Sequence, residues 1–297
     1  MAKSLFNLAF DTGARRRPEG VVGVGIRIFA ALTAIWTVYA AAFSRQDALS
    51  LTVTFLALML VLTFLMIGSG PGASRERISP LDWPLSVAAG ACGAYFLTRS
   101  DEIAQRITLL DPLSPSDQWF STLLIILTLE AIRRTVGLGL TLIVIGFIAY
   151  NLFGHHLEGP LSHGVITPGH FLDIMAFTTD GLFGVPLRVA ATYAFLFVLF
   201  GTILAKTGGG DFFFNLAASL TGRARGGPAK IAVISSGLYG TISGSPTSDV
   251  VTTGAVTIPM MKRLGYSPAF AGAVEVSAST GGSLLPPVMG AAAFIMA

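Results

Sequence analysis

The sequence predicts an all-α, polytopic membrane protein. Of its 297 residues, 53% are hydrophobic and only 12% are charged, whereas a soluble domain carries about 25% charged residues. Several apolar stretches approach the roughly 20 residues that a helix needs to cross a bilayer. A polar stretch, "GTISGSPTSDVVTTG" from Gly240 to Gly254, interrupts an otherwise apolar region. The expected fold is therefore a set of spanning helices with a re-entrant helical hairpin and a broken helix.

Six apolar segments are candidate spans. They cover residues 21–43, 48–67, 81–97, 119–132, 137–153 and 189–204. Trp83 and Trp119 stand at segment ends, where aromatic residues favour the membrane–water interface. The one cysteine, Cys92, lies inside a candidate span, so an intrachain disulfide and a cysteine-rich metal cluster are both excluded.

The distribution of basic residues predicts the orientation. Arginines stand before the first span, after the second and after the fourth: Arg15, Arg16, Arg17, Arg75, Arg77, Arg133 and Arg134. The loops between them hold acidic residues or histidines. Because cytoplasmic loops carry the excess of Lys and Arg, we expect a multi-pass protein of the bacterial inner membrane with its N-terminus in the cytoplasm.

The fourth span ends in a charged cluster, "LEAIRRTVG". Glu130 precedes Arg133 by three residues and Arg134 by four, a spacing that places all three on one helix face. This pattern predicts ion pairs, which we interpret as an anchor at the membrane interface.

The polar stretch from Gly240 to Gly254 separates two apolar arms, at about 231–243 and 246–261. Basic residues flank both outer ends, which places both ends in the cytoplasm. Arms of about 13 to 16 residues reach only some 20 to 24 Å, less than the roughly 30 Å hydrocarbon core. The sequence therefore predicts a hairpin at about 231–261 whose tip stops inside the membrane.

The tip has the residues of a helix stop followed by a helix start. Gly244 suits the position after a helix C-terminus, Ser245 suits an N-cap and Pro246 suits the first helical turn. The unpaired backbone groups of such a break must face protein or a polar cavity. Secondary transporters build ion and anion sites at breaks of this kind.

Each side of the break offers its own chemistry. The end of the first arm, with Ser243 and Ser245, offers oxygen ligands to an alkali cation. The start of the second arm offers N–H groups to a carboxylate, and Thr247 and Ser248 add hydroxyls. An aspartate such as Asp249 raises the free energy of membrane insertion by about 2.5 to 3.5 kcal/mol when it lies at the centre of a helix. Because its charge would repel an anionic substrate, we assign Asp249 to the cation or to a proton.

A competing interpretation is that the small residues only allow close helix packing. Packing accounts for Gly254, but it does not account for a Ser-Pro break and an aspartate at the same depth.

A second interruption follows at about 267–297. The segment begins apolar, carries Glu275 and is expected to break at 277–283 and again at Pro286 and Pro287. Glu275 is open to two interpretations, a proton or cation group and a residue in a solvated cavity. The sequence stops at "GAAAFIMA", within an apolar run, and we expect it to be truncated.

From about residue 119 to the end, the chain resembles the large membrane subunit of TRAP transporters, and most closely the fused permeases of the TAXI type. The motifs that carry the resemblance are "LEAIRRTVG", "FVLFGTILAKTGGGDFF", "GGPAKIAVISSGLYGTISGS", "VVTTGAVTIPMMKRLGYSPAFAGAVE" and "ASTGGSLLPPVMGAAAFIMA". Residues 1–118 look like the small membrane subunit fused in front of residues 119–297, on hydropathy and position only.

The resemblance implies an ion-transporter-like inverted-repeat fold of which this chain holds the first repeat. The implied function is sodium-driven import of an organic carboxylate, such as a dicarboxylate, keto acid or amino acid, by an elevator motion. A periplasmic solute-binding protein delivers the substrate. The implied partners are this protein, the lipid bilayer and the carboxylate, with no nucleic acid, and Na⁺ is the coupling ion with no other metal or cofactor.

Carried over residue by residue, the resemblance implies one sodium site between the hairpin tip and the adjacent helix. Its residues are Ser243, Gly244, Ser245, Asp249, Thr280, Gly281 and Gly282. The implied substrate residues are Ser245, Thr247 and Ser248. The TAXI pattern often has "ANV" where this chain has "SDV", so Asp249 is a departure that bears on ion affinity or proton sensitivity.

Three other functions are open. A sodium- or proton-coupled anion symporter would share the broken helices and work without a binding protein. A truncated chain would be a non-transporting scaffold. An intramembrane enzyme using Ser245 or Asp249 is disfavoured because the sequence has no nucleophile and base with supporting spacing, and we predict that the protein is not an enzyme.

Overall fold

The computed structural model describes residues 11–43, 47–286, 288–290, 293 and 296. Within these ranges the regular elements are helices, and the only bridge between extended residues joins Arg15 to Ile67. The predicted all-α class is confirmed. The chain divides into two compact units, Met1–Arg188 and Val189–Ala297. The proposed subunit boundary near residue 118 stays a prediction, because a compact unit does not reveal where two subunits were joined.

The first unit is built from helices with local capping signals. Its helices are α1 (Gly20–Phe43), α2 (Ala48–Met66), α3 (Asp82–Thr98), α4 (Ser100–Gln105), α5 (Pro115–Thr135), α6 (Leu138–Phe153), α7 (Pro168–Phe177) and α8 (Val185–Val189). Asp47 caps α2 by accepting a hydrogen bond from the Ser50 N–H at 2.9 Å. Ser114 and Asp117 form a capping box at the start of α5, which satisfies two N–H groups that the helix leaves unpaired.

The core of the first unit lies between α2, α3 and α5. Phe64, Cys92, Phe96 and Leu127 are buried there. Tyr95 stacks on Phe120 with ring centroids 4.0 Å apart, which adds to the apolar contact between α3 and α5.

The second unit carries the hairpin. A π turn, Ala190–Ala194, precedes α9 (Phe195–Lys206). The other helices are α10 (Gly209–Thr221), α11 (Gly227–Ser243), α12 (Pro246–Thr252), α13 (Gly254–Arg263) and α14 (Pro268–Gly282). Tyr239, Met261 and Ala271 are fully buried.

Four helices in the described ranges are long and apolar enough to cross a membrane: Gly20–Phe43, Ala48–Met66, Leu138–His156 and Val185–Leu204. These correspond to four of the six predicted spans. The other two predicted spans are also helical, but α3 has only 17 residues, and α5 carries Glu130, Arg133 and Arg134 in its last turns.

The hairpin arms are longer than the sequence suggested. The first arm is α11, with 17 residues. The second arm is α12 followed by α13, joined at Thr253, whose φ of −75° and ψ of −38° keep the chain helical. Helices of this size are about 26 to 27 Å long, still short of the roughly 30 Å core. The helix–break–helix is therefore present, and its re-entrant course in a membrane stays a prediction.

The predicted break at 277–283 is wrong in position, since α14 continues to Gly282. The hydroxyl groups in this segment do not replace the backbone hydrogen bonds of the helix, so the helix does not end there. Thr280 donates back to the Val276 carbonyl, and Ser279 lies 3.4 Å from Glu275. The chain leaves the helix after Gly282, and the Gly290 N–H returns to the Ser283 carbonyl at 2.8 Å. Pro287 and residues 291, 292, 294, 295 and 297 lie outside the described residues.

Candidate functional site

The hairpin tip has the predicted helix stop and start. Gly244 has a φ of 58°, a conformation that suits glycine, and its N–H donates to the Gly240 carbonyl at 2.9 Å. Ser245 is the N-cap of α12, and its side chain accepts from the Ser248 N–H at 3.5 Å. Pro246 occupies the first turn, where a missing N–H costs nothing.

Ser243 and Asp249 meet across the break. Both residues are buried, and the Ser243 hydroxyl donates to Asp249 Oδ1. The Ser245 N–H donates in turn to Ser243 Oγ at 3.1 Å. The second carboxylate oxygen, Asp249 Oδ2, is buried and has no hydrogen-bond partner among the described residues. A buried carboxylate oxygen without a partner is costly, so this atom identifies the tip as a candidate ligand site.

Two glycines enclose the unpaired oxygen. Gly240 on α11 and Gly282 on α14 approach so closely that a Cβ on either would meet the other residue's Cα and Asp249 Oδ2. Larger side chains at these positions would fill the space beside the carboxylate. The close crossing therefore both packs the helices and shapes the site.

The C-terminal end of α11 contributes carbonyl oxygens. The last four carbonyls of a helix have no partner within it. The Val288 N–H donates a hydrogen bond to the Thr241 carbonyl at 3.1 Å. Among the described residues, no backbone N–H donates to the carbonyls of Ile242 or Ser243. These two carbonyls and Asp249 Oδ2 are hard oxygen ligands, the type that an alkali cation binds.

Not every predicted site residue reaches this tip. Ser243, Gly244, Ser245, Asp249 and Gly282 lie at it. Thr280 is exposed and bonds to its own helix, and a Cβ at Gly281 would meet nothing within 4 Å. Of the predicted substrate residues, Thr247 is exposed and Ser248 is half-buried in the first turn of α12.

A second polar cluster lies between the hairpin arms and α14, further along the arms from the tip. Glu275 is fully buried. Its Oε1 accepts from Ser236 and Thr253, each at 2.6 Å, and its Oε2 accepts from Thr257 at 2.5 Å. Glu275 stands out in the sequence, whereas the hydroxyl groups that contact it do not. The available signal was the spacing of Thr253 and Thr257, four residues apart on one helix face.

The ion pairs of the described residues all lie in the first unit. The predicted pairs of Glu130 with Arg133 and Arg134 are present, each at 2.7 Å. The sequence did not reveal that the buried Asp82 also pairs with Arg134, at 2.8 Å, and with Arg16. The cluster therefore joins the segment before α1 to the start of α3 and the end of α5.

Residues 123–297 match the family model of the "Tripartite ATP-independent periplasmic transporter, DctM component". The uncharacterized protein YgiK of Salmonella typhimurium is 36% identical over 91 residues, which are 31% of this chain and 21% of YgiK. No solved structure matches the sequence.

Two further relatives have descriptive names. The C4-dicarboxylate TRAP transporter large permease protein DctM of Pseudomonas aeruginosa is 31% identical over 123 residues, 39% of this chain and 29% of that protein. The ectoine TRAP transporter large permease protein TeaC of Halomonas elongata is 30% identical over 95 residues, 32% of this chain and 22% of TeaC. The chain thus aligns with less than a third of each of these relatives. Since the family model covers more than half of the chain, the chain belongs to the DctM component family of tripartite ATP-independent periplasmic transporters.

Proposed function

We propose that the chain is the permease of a sodium-coupled secondary transporter that imports an organic carboxylate. A periplasmic solute-binding protein delivers the substrate, and the hairpin tip binds the coupling Na⁺. Residues 1–118 act as a fused small membrane subunit, and the transporter is of the TAXI type with an elevator motion.

The single observation that carries the cation site is the unpaired Oδ2 of Asp249. It is buried at the break between α11 and α12, where no backbone N–H of the described residues donates to the carbonyls of Ile242 and Ser243 at the end of α11. A monovalent cation would neutralise the carboxylate and give all three oxygens a partner. Membrane proteins place intramembrane carboxylates at ion and proton pathways for this reason.

The substrate proposal rests on the family and on the names of relatives. DctM of Pseudomonas aeruginosa is named for C4-dicarboxylates and TeaC for ectoine. These two names differ, so they support a transport function for small organic solutes more strongly than any one substrate. The carboxylate is our proposal from the N–H groups and hydroxyls at the start of α12.

Sodium binding can be tested without transport. We expect NaCl, compared with choline chloride at equal ionic strength, to raise the thermal stability of the purified chain. A free ligand concentration of 100 times the Kd stabilises the folded protein by about 2.7 kcal/mol. Asp249→Asn keeps the shape of the side chain and removes its charge, and it should abolish most of this sodium-dependent shift.

The matched control is Asp211→Asn, which removes an exposed carboxylate in the first turn of α10. We expect the control to keep the full sodium-dependent shift. An equal shift in the Asp249→Asn protein would exclude Asp249 as a ligand.

Transport requires a second experiment, with the protein reconstituted into liposomes. Candidate carboxylates and binding proteins are added outside proteoliposomes that contain the protein, with and without an inward sodium gradient. Uptake that needs both components supports the proposal. Uptake without any binding protein would identify a symporter of a different type, and uptake without sodium would overturn sodium coupling.

A further inference from the structure

Glu275 occupies a cage of hydroxyl groups next to the hairpin tip, and the Thr253 hydroxyl of this cage also lies 2.8 Å from the Asp249 carbonyl. Ser236 comes from α11, Thr253 joins α12 to α13, and Thr257 lies on α13. The Ser236 and Thr253 hydroxyl oxygens are also 2.7 Å apart. Glu275 is therefore held by hydrogen bonds to both arms of the hairpin.

The cage has more short oxygen–oxygen contacts than hydroxyl protons to fill them. Four side-chain oxygen–oxygen contacts of 2.5 to 2.7 Å connect Ser236, Thr253, Thr257 and Glu275. Each contact needs one proton between its oxygens, and each hydroxyl supplies only one. Three hydroxyls therefore leave one of these four contacts unfilled when Glu275 is ionised. The longer contacts do not fill it, because the Asp249 and Thr253 carbonyls only accept protons, and the Ser279 proton is directed to Oε1 at 3.4 Å.

A proton on Glu275 Oε1 fills the remaining contact. Ser236 then donates to Thr253, Thr253 donates to Oε1, and Oε1–H donates back to Ser236. Thr257 donates to Oε2. All four contacts are hydrogen bonds in this arrangement, and the buried side chain carries no net charge.

Within the part of the chain that the structure describes, no charged partner neutralises Glu275 in another way. Among the described residues of the packed helices, α11 carries Lys230 and Tyr239, and α12 carries Asp249. Helix α13 carries Lys262 and Arg263, while α14 has no titratable side chain besides Glu275. Lys230, Lys262 and Arg263 are exposed at the outer ends of the arms, and the Tyr239 hydroxyl lies 3.4 Å from the Gly201 carbonyl. Asp249 is also acidic, so it supplies no positive charge to Glu275.

We propose that Glu275 is a second cation-binding position in the second unit and that its occupant in this conformation is a proton shared with Ser236 and Thr253. Binding adds one proton from water to a carboxylate oxygen of Glu275, and release returns this proton to water. Its use as a coupling ion rests on the proposed transport function, whereas the bound proton itself does not.

Infrared difference spectroscopy of the purified chain tests the proposal directly. A protonated carboxylic acid has a carbonyl stretch that ionised carboxylates lack, and this band shifts in D₂O. We expect Glu275→Gln to remove one such band and Asp249→Asn to keep it. Loss of the band in Asp249→Asn, or its persistence in Glu275→Gln, would overturn the assignment.

A second variant keeps the proposal testable if Glu275→Gln fails to fold. Thr257→Val removes the donor to Oε2, so the carbonyl stretch should shift to higher frequency without disappearing. Thr202→Val is the matched control, because Thr202 is exposed and bonds only to the Val198 carbonyl of its own helix. An unchanged frequency in Thr257→Val would contradict the proposed cage.

Sodium distinguishes the two possible cations. The band should persist when NaCl replaces choline chloride at equal ionic strength, and its loss with sodium alone would contradict a proton as the occupant. Because the spectra require no uptake, a failure of the transport proposal leaves this result unaffected. A missing band in a transporter that works normally would reject only the proton on Glu275.

Discussion

Gly240 and Gly282 allow α11 and α14 to touch backbone to backbone. Membrane helices use small residues in this way because lipid provides no hydrophobic drive for helix association. Here the contact also borders Asp249, so a methyl group at either position would press on the carboxylate and on the opposite helix. Packing and ion binding therefore constrain the same two residues.

We expect Gly240→Ala and Gly282→Ala each to lower the free energy of unfolding by about 1 to 3 kcal/mol, the usual cost of overpacking. Thermal unfolding in detergent measures the effect. Gly272→Ala on α14 is the control, since a Cβ there meets nothing within 4 Å and the better helix propensity of alanine gains up to about 1 kcal/mol. Equal stability of all three variants would contradict the close crossing.

The sequence predicted the tip because its signals are local. Gly244, Ser245 and Pro246 are adjacent, and each has a backbone preference that acts without distant partners. The cage around Glu275 differs, since its partners are 18 to 39 residues away. Which hydroxyls meet that carboxylate depends on how three helices pack, and no local preference encodes this.

At the scale of elements, Asp82 is the centre of the buried ion cluster. It lies in the first turn of α3, is 1% exposed and pairs with Arg16 and Arg134. Arg134 also lies over the Phe64 ring, 5.1 Å from its centroid. Each pairing joins segments that are distant in sequence, so the cluster fixes how these elements meet.

Asp82→Asn should lower the free energy of unfolding by about 3 kcal/mol, because removing one partner of a buried ion pair leaves the opposite charges uncompensated. Thermal unfolding checks this. Glu102→Gln is the control, because Glu102 is 59% exposed in its pair with Arg99 and exposed pairs add little stability. A loss of the same size in both variants would argue against a special role for Asp82.

The boundaries of elements were predicted less well than their existence. The sequence placed a break at 277–283 because this segment contains adjacent glycines and is followed by Pro286 and Pro287, which kink helices. Inside the second unit, hydroxyls bond to Glu275 or to the preceding turn, and Gly282 packs against Gly240. Tertiary contacts thus extended α14 beyond the point that local propensity indicated.

At the scale of the whole molecule, the proposed topology places both ends of the hairpin in the cytoplasm. Single cysteines at Lys206, Arg225 and Lys262 should react with a membrane-impermeant maleimide only from the cytoplasmic side. All three residues are exposed, and the native Cys92 is fully buried, so its background labelling should be low.

A cysteine at Glu158 is the control. This exposed residue lies in the histidine-containing loop after α6, which the predicted orientation puts on the outer side, and it should label from outside. Outside labelling at Lys262 would show that the second arm crosses the membrane, and the re-entrant topology would be wrong.

Two arginines of the buried ion cluster have one role during membrane insertion and another in the folded protein. On the proposed topology, Arg16 and Arg134 belong to the positive charges that orient the chain as it enters the bilayer. In the folded protein both are buried against Asp82 and no longer face the cytoplasm. The same charges would thus guide biogenesis first and hold the finished structure afterwards, so replacing either one would disturb insertion and assembly at separate times.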